Sequence, residues 1–258
     1  MSYKIYLREN PIYKYFVDNF QVILGLKQYR QDSSNGGPRE AMAGLYGEAI
    51  VRHEMDLLQK ENIVRELIAK KKRGIESDRG VDFEWQGIKV DVKTLQVKVS
   101  IASGVTGTYC HNYMAKQAHD EKNETEILIL CYLNWRQGIL TINGGIEKEQ
   151  MVDKKNISIF WEAGKTKPVG KKIHKFKYDE YEVQEHQIAR FNNLLDMKGY
   201  LYAYGQYKKG DGDNFQRAKK KRIFEYPEEG IRRGNGVPPE IPPGHGQEDN
   251  NIKKGDGA

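Results

Sequence analysis

The chain has 258 residues, 30% of them charged and 38% hydrophobic, which suits one domain of ordinary size that is polar yet able to build a core. It carries no apolar run long enough to span a membrane, no signal-peptide pattern in its first ten residues, and too few cysteines (Cys110 and Cys131) for a disulfide framework, so cytosolic thiols and a cytoplasmic location are expected. The formal net charge of +6 suits an anionic partner such as nucleic acid.

Residues 11–29 predict a helix. Asn10 can cap it, Pro11 suits the first helical position, and Ile12, Phe16, Phe20, Ile23 and Leu24 form an apolar stripe. Residues 32–38, DSSNGGP, read as a loop. A second helix is expected over residues 39–60, with Met42, Tyr46, Ala49, Ile50, His53 and Leu57 along its buried side. Glu48 falls off the centre of that stripe, and on this segment alone it reads as solvated. Gly44 and Gly47 flank it; each costs about 1 kcal/mol of helix stability relative to Ala, and glycine can let another backbone or a ligand come close. Residues 63–75 fit a strand or a helix extension, and their run Lys70, Lys71, Lys72, Arg73 fits a solvated face or a phosphate backbone.

Residues 81–99, VDFEWQGIKVDVKTLQVKV, predict a β-hairpin about Gln86 and Gly87. With those two as the loop, Trp85 faces Ile88, Glu84 faces Lys89, Phe83 faces Val90 and Asp82 faces Asp91. Alternation then puts Ile88, Val90 and Val92 on one face and Lys89, Asp91 and Lys93 on the other. Two like charges opposite each other destabilise a sheet, so this pattern points to a cation between Asp82 and Asp91. The hydrophobic phase slips to Leu95, Val97 and Val99, which a bulge near Thr94 would explain.

Beyond the hairpin, residues 103–108 read as a glycine-rich loop, 111–122 as a helix and 126–135 as a central strand. A turn at 136–138 leads to a strand over 139–142, which Asn143, Gly144 and Gly145 end. A short helix over 147–154, a short strand over 157–161, a basic loop over 163–177, a helix over 184–197 and strands over 200–207 and 222–226 follow, the last two separated by a GDGDN turn and a basic run. The segment 231–258 has six glycines, four prolines and almost no apolar residues and is expected to be disordered. Its four basic and four acidic residues cancel, so the whole net charge sits on residues 1–230.

Several local motifs fail on spacing. Gly164-Lys165-Thr166 lacks the upstream glycine of a P-loop, since position 159 is Ile159. His53-Glu54 lacks the second histidine of a zinc-protease helix, since the fifth position is Leu57. Cys110, His111 and His119 fit no zinc spacing, and Asp211-Gly212-Asp213 is too short for a calcium loop.

What remains is Glu48 on a helix, Asp82 on a strand, then Asp91-x-Lys93 on the next strand. GLYGEAIV around Glu48, RGVDF around Asp82 and IKVDVKT around Asp91 and Lys93 resemble the PD-(D/E)XK nuclease superfamily over residues 45–135. One departure is Val81, where the name-giving pattern has proline. The resemblance implies an α/β fold with a restriction-endonuclease-like α–β–β–β–α–β core, a central mixed sheet flanked by helices, in a domain over 1–230 with its core at about 39–145. It further implies an Mg²⁺-dependent nuclease, Mn²⁺ substituting, with Asp82, Asp91 and the carbonyl of Val92 holding the first metal. Glu48 would complete that site or help a second, and Lys93 would touch the attacking water and the scissile phosphate. A DNA endonuclease of restriction or phage defence, acting on double-stranded DNA, is the first expectation, with junction resolution or recombination next; a homodimer is left open. Two other readings stay open: a nucleic-acid-binding module of this fold that cuts nothing, and a structural or interaction protein with accidental acid placement.

Overall fold

In the computed structural model the described residues are 3–26, 38–73, 80–97, 112–152, 159–169, 172–183, 187–210, 212–221, 224 and 226. The first half contains β1 (Tyr3–Tyr6), α1 (Pro11–Asp18), α2 (Phe20–Leu26), α3 (Pro38–Glu54), α4 (Ile63–Arg73), β2 (Phe83–Trp85), β3 (Ile88–Gln96), β4 (Asn112–Met114) and α5 (Ala115–Ala118). The second contains β5 (Ile127–Asn134), β6 (Ile139–Glu147), α6 (Lys148–Val152), β7 (Ile159–Trp161), β8 (Thr166–Val169), β9 (Lys172–Lys175), β10 (Glu180–Glu182), β11 (Ala189–Arg190), α7 (Leu194–Lys208) and α8 (Gly212–Lys221). These elements fall within one unit, Met1–Tyr226. No described helix is long and apolar enough to cross a membrane.

The architecture is mixed α/β. The main sheet runs β1-β6-β5-β3-β2, with β11 added to β6. The β3–β5 pair is parallel and the other pairs are antiparallel. All eight residues of β5, ILILCYLN, are buried, as a strand covered on both faces requires. Alternation sorts the two faces. Val90, Val92, Ile127, Ile129 and Cys131 join the larger core, which α1, α3 and α7 supply with Phe16, Tyr46, Ile50 and Tyr200. Leu128 and Leu130 turn to the other face, where Ala118, Ile146, Met151, Val183 and Ile188 cover them. A smaller sheet of order β4-β10-β7 and the β8–β9 hairpin complete the fold.

The capping chemistry at Asn10 holds: its side chain accepts from the Ile12 N–H at 2.9 Å, with Pro11 at the first turn. The expected 11–29 helix breaks at Asn19, whose amide donates to the Tyr15 carbonyl, so Phe20 is 41% exposed and leaves the apolar stripe. Residues 27–29 and the 32–37 part of the first loop lie outside the described residues. The second helix starts at Pro38 and stops at Glu54 instead of 60, because Asp56 takes a φ of 60°. Leu57 is therefore exposed instead of buried. Residues 63–73 resolve as helix.

Other expectations fail for packing reasons. No bulge interrupts β3 at Thr94; its ladder with β5 is continuous from Val90 to Gln96, and the irregularity lies between Leu130 and Cys131 against β6. Gly144 and Gly145 do not end β6. A Cβ on Gly144 would fall 2.2 Å from the Ala189 carbonyl oxygen, and one on Gly145 would fall 2.7 Å from the Tyr200 ring. These glycines admit β11 and α7 against a strand that continues to Glu147. Most of the expected 111–122 helix is β4 plus one helical turn. The basic 163–177 loop contains the β8–β9 hairpin. Residues 189–190 pair as a strand where a helix was expected, and the expected 200–207 strand is helix α7. The GDGDN turn and basic run fold largely as α8. Residues 224 and 226 belong to no strand. The 103–108 loop and the 231–258 tail lie outside the described residues.

Candidate functional site

Gln86 and Gly87 both take positive φ, 50° and 81°, the backbone of a two-residue hairpin turn whose twist matches its strands. The register is the expected one: Phe83↔Val90, Glu84↔Lys89 and Trp85↔Ile88. The ladder stops there, so Asp82 and Asp91 are not a paired rung. The Asp82 N–H still donates to the Val90 carbonyl at 2.9 Å. Its carboxylate turns inward to accept from the Val92 N–H at 2.8 Å. Past Val90, β3 has β5 on one side and, among the described residues, no strand on the other. Asp82 thus caps the free edge of β3.

Asp91 and Lys93 lie in register with Leu128 and Leu130 and so project on the second face of the sheet. Asp91 is 3% exposed. The Lys93 ammonium stands 2.7 Å from Asp91 Oδ2. That contact is an ion pair without hydrogen-bond alignment, and among the described residues Oδ2 has no hydrogen-bond donor. Val92 gives its N–H to Asp82 and its side chain to the core.

Glu48 comes from α3, which packs on the opposite face, with Gly47 against Thr94. The helix is buried at nearly every position from Met42 to Val51, and Glu48 is only 8% exposed. The expectation of a solvated Glu48 from its helix alone is corrected, because α3 is wrapped on all sides. Its charge is balanced by Arg52 one turn on, whose Nη1 lies 3.2 Å from Glu48 Oε1 and 2.8 Å from Glu66 Oε2 on α4. Burial opposes the Arg52 charge, but the hydrogen bonds and charges of Glu66 and Glu48 outweigh it and raise the guanidinium pKa.

Asp82 is the hub of the group. Desolvation, then the neighbouring charges of Glu48 and Asp91, push its carboxyl pKa well above the ordinary range, against the pull of Lys93 and the Val92 N–H. Glu48, Asp91 and Lys93 therefore lie within electrostatic reach of Asp82. The carboxylates do not converge on one point: among the described residues no three His, Cys, Asp or Glu side chains form a ready metal centre. Asp82 is turned to the Val92 N–H, Glu48 to Arg52 and Asp91 to Lys93. The donor set nevertheless fits a hard divalent cation, since it is oxygen-only and leaves Asp91 Oδ2 buried without a hydrogen bond.

The sequence reading places Arg52 beside Glu48 on the helix, and the i,i+4 spacing was the signal for the ion pair that it does not name. It also missed Thr94 and Gln96, which follow Lys93 on β3 and carry polar atoms with no hydrogen-bond partner among the described residues, Thr94 Oγ1 and Gln96 Nε2. A second polar cluster is fully engaged: Tyr200 donates to Glu147 at 2.6 Å, and Lys219 reaches Glu147 at 2.5 Å and Gln150 at 2.6 Å. Its groups satisfy one another, as a structural network does. Burial pushes the Cys131 thiol pKa up, which keeps it protonated and unreactive. Neither family models nor curated proteins nor solved structures match this chain.

Proposed function

We propose that this chain is an Mg²⁺-dependent nuclease, in the first place an endonuclease of double-stranded DNA, with a restriction-endonuclease-like core. The observation that carries the reading is that the charges of Glu48 and Asp91 both act on the Asp82 carboxyl at the edge of β3, with Lys93 paired to Asp91. The order helix, antiparallel hairpin, crossover and parallel strand, α3 to β5, supports the same reading. Asp82, Asp91 and the Val92 carbonyl would hold the cation, Glu48 completing that site or helping a second; Mn²⁺ would substitute. When bound, the cation neutralises charge developing on the phosphate and lowers the pKa of a bound water. Lys93 binds the scissile phosphate and orients the attacking water, and Arg52 fixes Glu48. Restriction or phage defence is the favoured setting, then junction resolution or recombination.

A second reading is a nucleic-acid-binding module that cuts nothing. It is favoured by the partner each carboxylate already has: the Val92 N–H, Arg52 and Lys93. Incubation with plasmid in Mg²⁺ or in EDTA, beside RNA and branched DNA, separates the two. Conversion in Mg²⁺ alone supports the nuclease; binding without conversion in either leaves the module.

A further inference from the structure

The β8–β9 hairpin lies in a lysine-rich stretch that holds no acid. Residues 163–178 hold six lysines (165, 167, 171, 172, 175 and 177) and no acid, in a chain of net charge +6. Its root is firmly built. Trp161 stacks on Phe176 with ring centroids 4.8 Å apart and planes 9° from parallel. Trp161 Nε1 donates to Glu182 at 2.9 Å, Lys167 pairs with the same carboxylate, and Phe176 exchanges backbone hydrogen bonds with Gly164 and Lys165.

The outer face is bare. The register Thr166↔Lys175 and Pro168↔Ile173 puts these four on one face, and all four are exposed. Ile173 is 77% exposed, side by side with Pro168. Lys175 and Lys177 are exposed and, among the described residues, have no acidic partner. The Glu162–Lys165 contact at 3.9 Å is a surface pair and holds Lys165 weakly. The root of the arm is tied to Glu182 of β10, next to a residue that packs on the Asp91 face of the sheet. Val183, directly after β10, packs with Leu128 and Leu130, the two residues in register with Asp91 and Lys93.

We infer that the β8–β9 hairpin is a substrate-gripping arm for duplex nucleic acid, with Lys165, Lys175 and Lys177 on phosphates and the Pro168–Ile173 pair against the groove. A rigid two-stranded ribbon fits a groove of the duplex, and apolar residues flanked by cations are what groove-inserting arms present. The inference rests on the nuclease reading for its choice of partner.

The test is equilibrium binding of a short fluorescent duplex in EDTA across a salt titration. Four full-length proteins are compared: the parent; Lys165→Ala, Lys175→Ala and Lys177→Ala combined; Ile173→Ala; and a charge-matched variant combining Lys4→Ala, Lys14→Ala and Lys60→Ala. Each lost phosphate contact lowers the salt slope by about 0.9. The arm triple is therefore expected to bind about tenfold more weakly and to lose about 2 to 3 from the slope, with its melting temperature unchanged. Ile173→Ala should weaken binding at unchanged slope, and the charge-matched variant should stay near the parent. Equal losses in both triples would mean that net charge acts and not the arm, and parent-like binding by the arm triple would overturn the inference while leaving the nuclease reading standing. A parent that binds no nucleic acid overturns both. Anionic phosphatidylserine vesicles, bound in place of the duplex and lost in the arm triple, would assign the arm to a membrane surface and overturn it as well.

Discussion

Gly47 lies so close to Thr94 that a Cβ on it would fall 1.9 Å from Thr94 Oγ1 and 2.9 Å from Thr94 Cβ. Only a bare glycine lets α3 press onto β3 there, and the next helical residue is Glu48. The same contact therefore sets the core packing and the distance of Glu48 from the Asp82–Asp91 edge. Gly44, one turn earlier, has nothing within 4 Å of the corresponding position. Gly47→Ala should cost about 1–3 kcal/mol through overpacking and lower cleavage, whereas Gly44→Ala should gain about 0.5–1 kcal/mol as an ordinary helix substitution. Adding Thr94→Ala to Gly47→Ala should restore part of the loss. Denaturant melts of the four proteins check this, and equal effects of the two glycine substitutions would contradict it.

Asp82 gives a pH signature. Its folded pKa is raised above the ordinary 3.8, so between those two values the folded state holds a proton that the unfolded state has released. Stability then falls as pH rises through that window, and the loss is complete above the raised folded pKa. Asp82→Asn keeps an acceptor for the Val92 N–H and removes the titration. The stability of the variant minus that of the parent, measured without metal, should grow with pH from about 4 upward. A difference independent of pH would show that Asp82 titrates normally.

Arg52 joins Glu48 to Glu66 in a mostly buried arrangement. Arg52→Gln leaves Glu48 buried without its cation and should cost about 2–4 kcal/mol, with Arg52→Lys costing less. The nuclease reading adds that Arg52→Lys, assayed where it remains folded, loses turnover, because a compact ammonium on a flexible stem does not reproduce the geometry in which Arg52 Nη1 meets both carboxylates. Unchanged melting and turnover in both variants would remove Arg52 from the site.

The hairpin was legible because its information is local. Gln86-Gly87 fixes the turn, the turn fixes the register, and alternation fixes the faces. Strand β5 was legible from its unbroken apolar run. The rest depended on partners far away in the chain. The burial of Glu48 depends on Glu66 and Arg52 and on the neighbours that wrap α3. The 200–207 stretch is rich in tyrosine and reads as a strand by composition, yet Met197, Tyr200, Leu201 and Tyr204 are its buried positions, which is a helical period. Its ring at Tyr200 needs the space that Gly145 leaves, and no local window shows that. The candidate residues lie between these extremes: the shared face of Asp91 and Lys93 follows from the hairpin, Asp82 turns to the Val92 N–H instead of pairing with Asp91, and the position of Glu48 follows from Gly47 and Thr94.

If Lys93 handles the phosphate and water while Asp91 serves the cation, loss of either should stop cleavage and spare binding. Asp91→Ala and Lys93→Ala should each lower cleavage about a hundredfold or more while leaving duplex affinity in EDTA near the parent's. Full activity in either would sink the assignment of that residue. Raised Mg²⁺ should recover part of the activity for neither.

The last prediction concerns the cation itself. Without metal, Asp91 faces the charge of Asp82 and is offset by Lys93. Asp91→Asn relieves the first and gives up the second, and Lys93, a third exposed, can turn to water. The metal-free variant should therefore be as stable as the parent or more so. A cation that binds only the folded state stabilises it by mass action, RT ln(1 + [L]/Kd). Mg²⁺ or Ca²⁺ should thus raise the parent's melting temperature with concentration, and the Asp91→Asn protein should gain much less. Because the readout is stability, it holds whether or not the chain cuts anything. A melting series of both proteins, from EDTA through increasing Mg²⁺, decides it: equal shifts would mean that Asp91 is not a ligand, and the edge of β3 would then be a charged seam in the fold instead of a metal site.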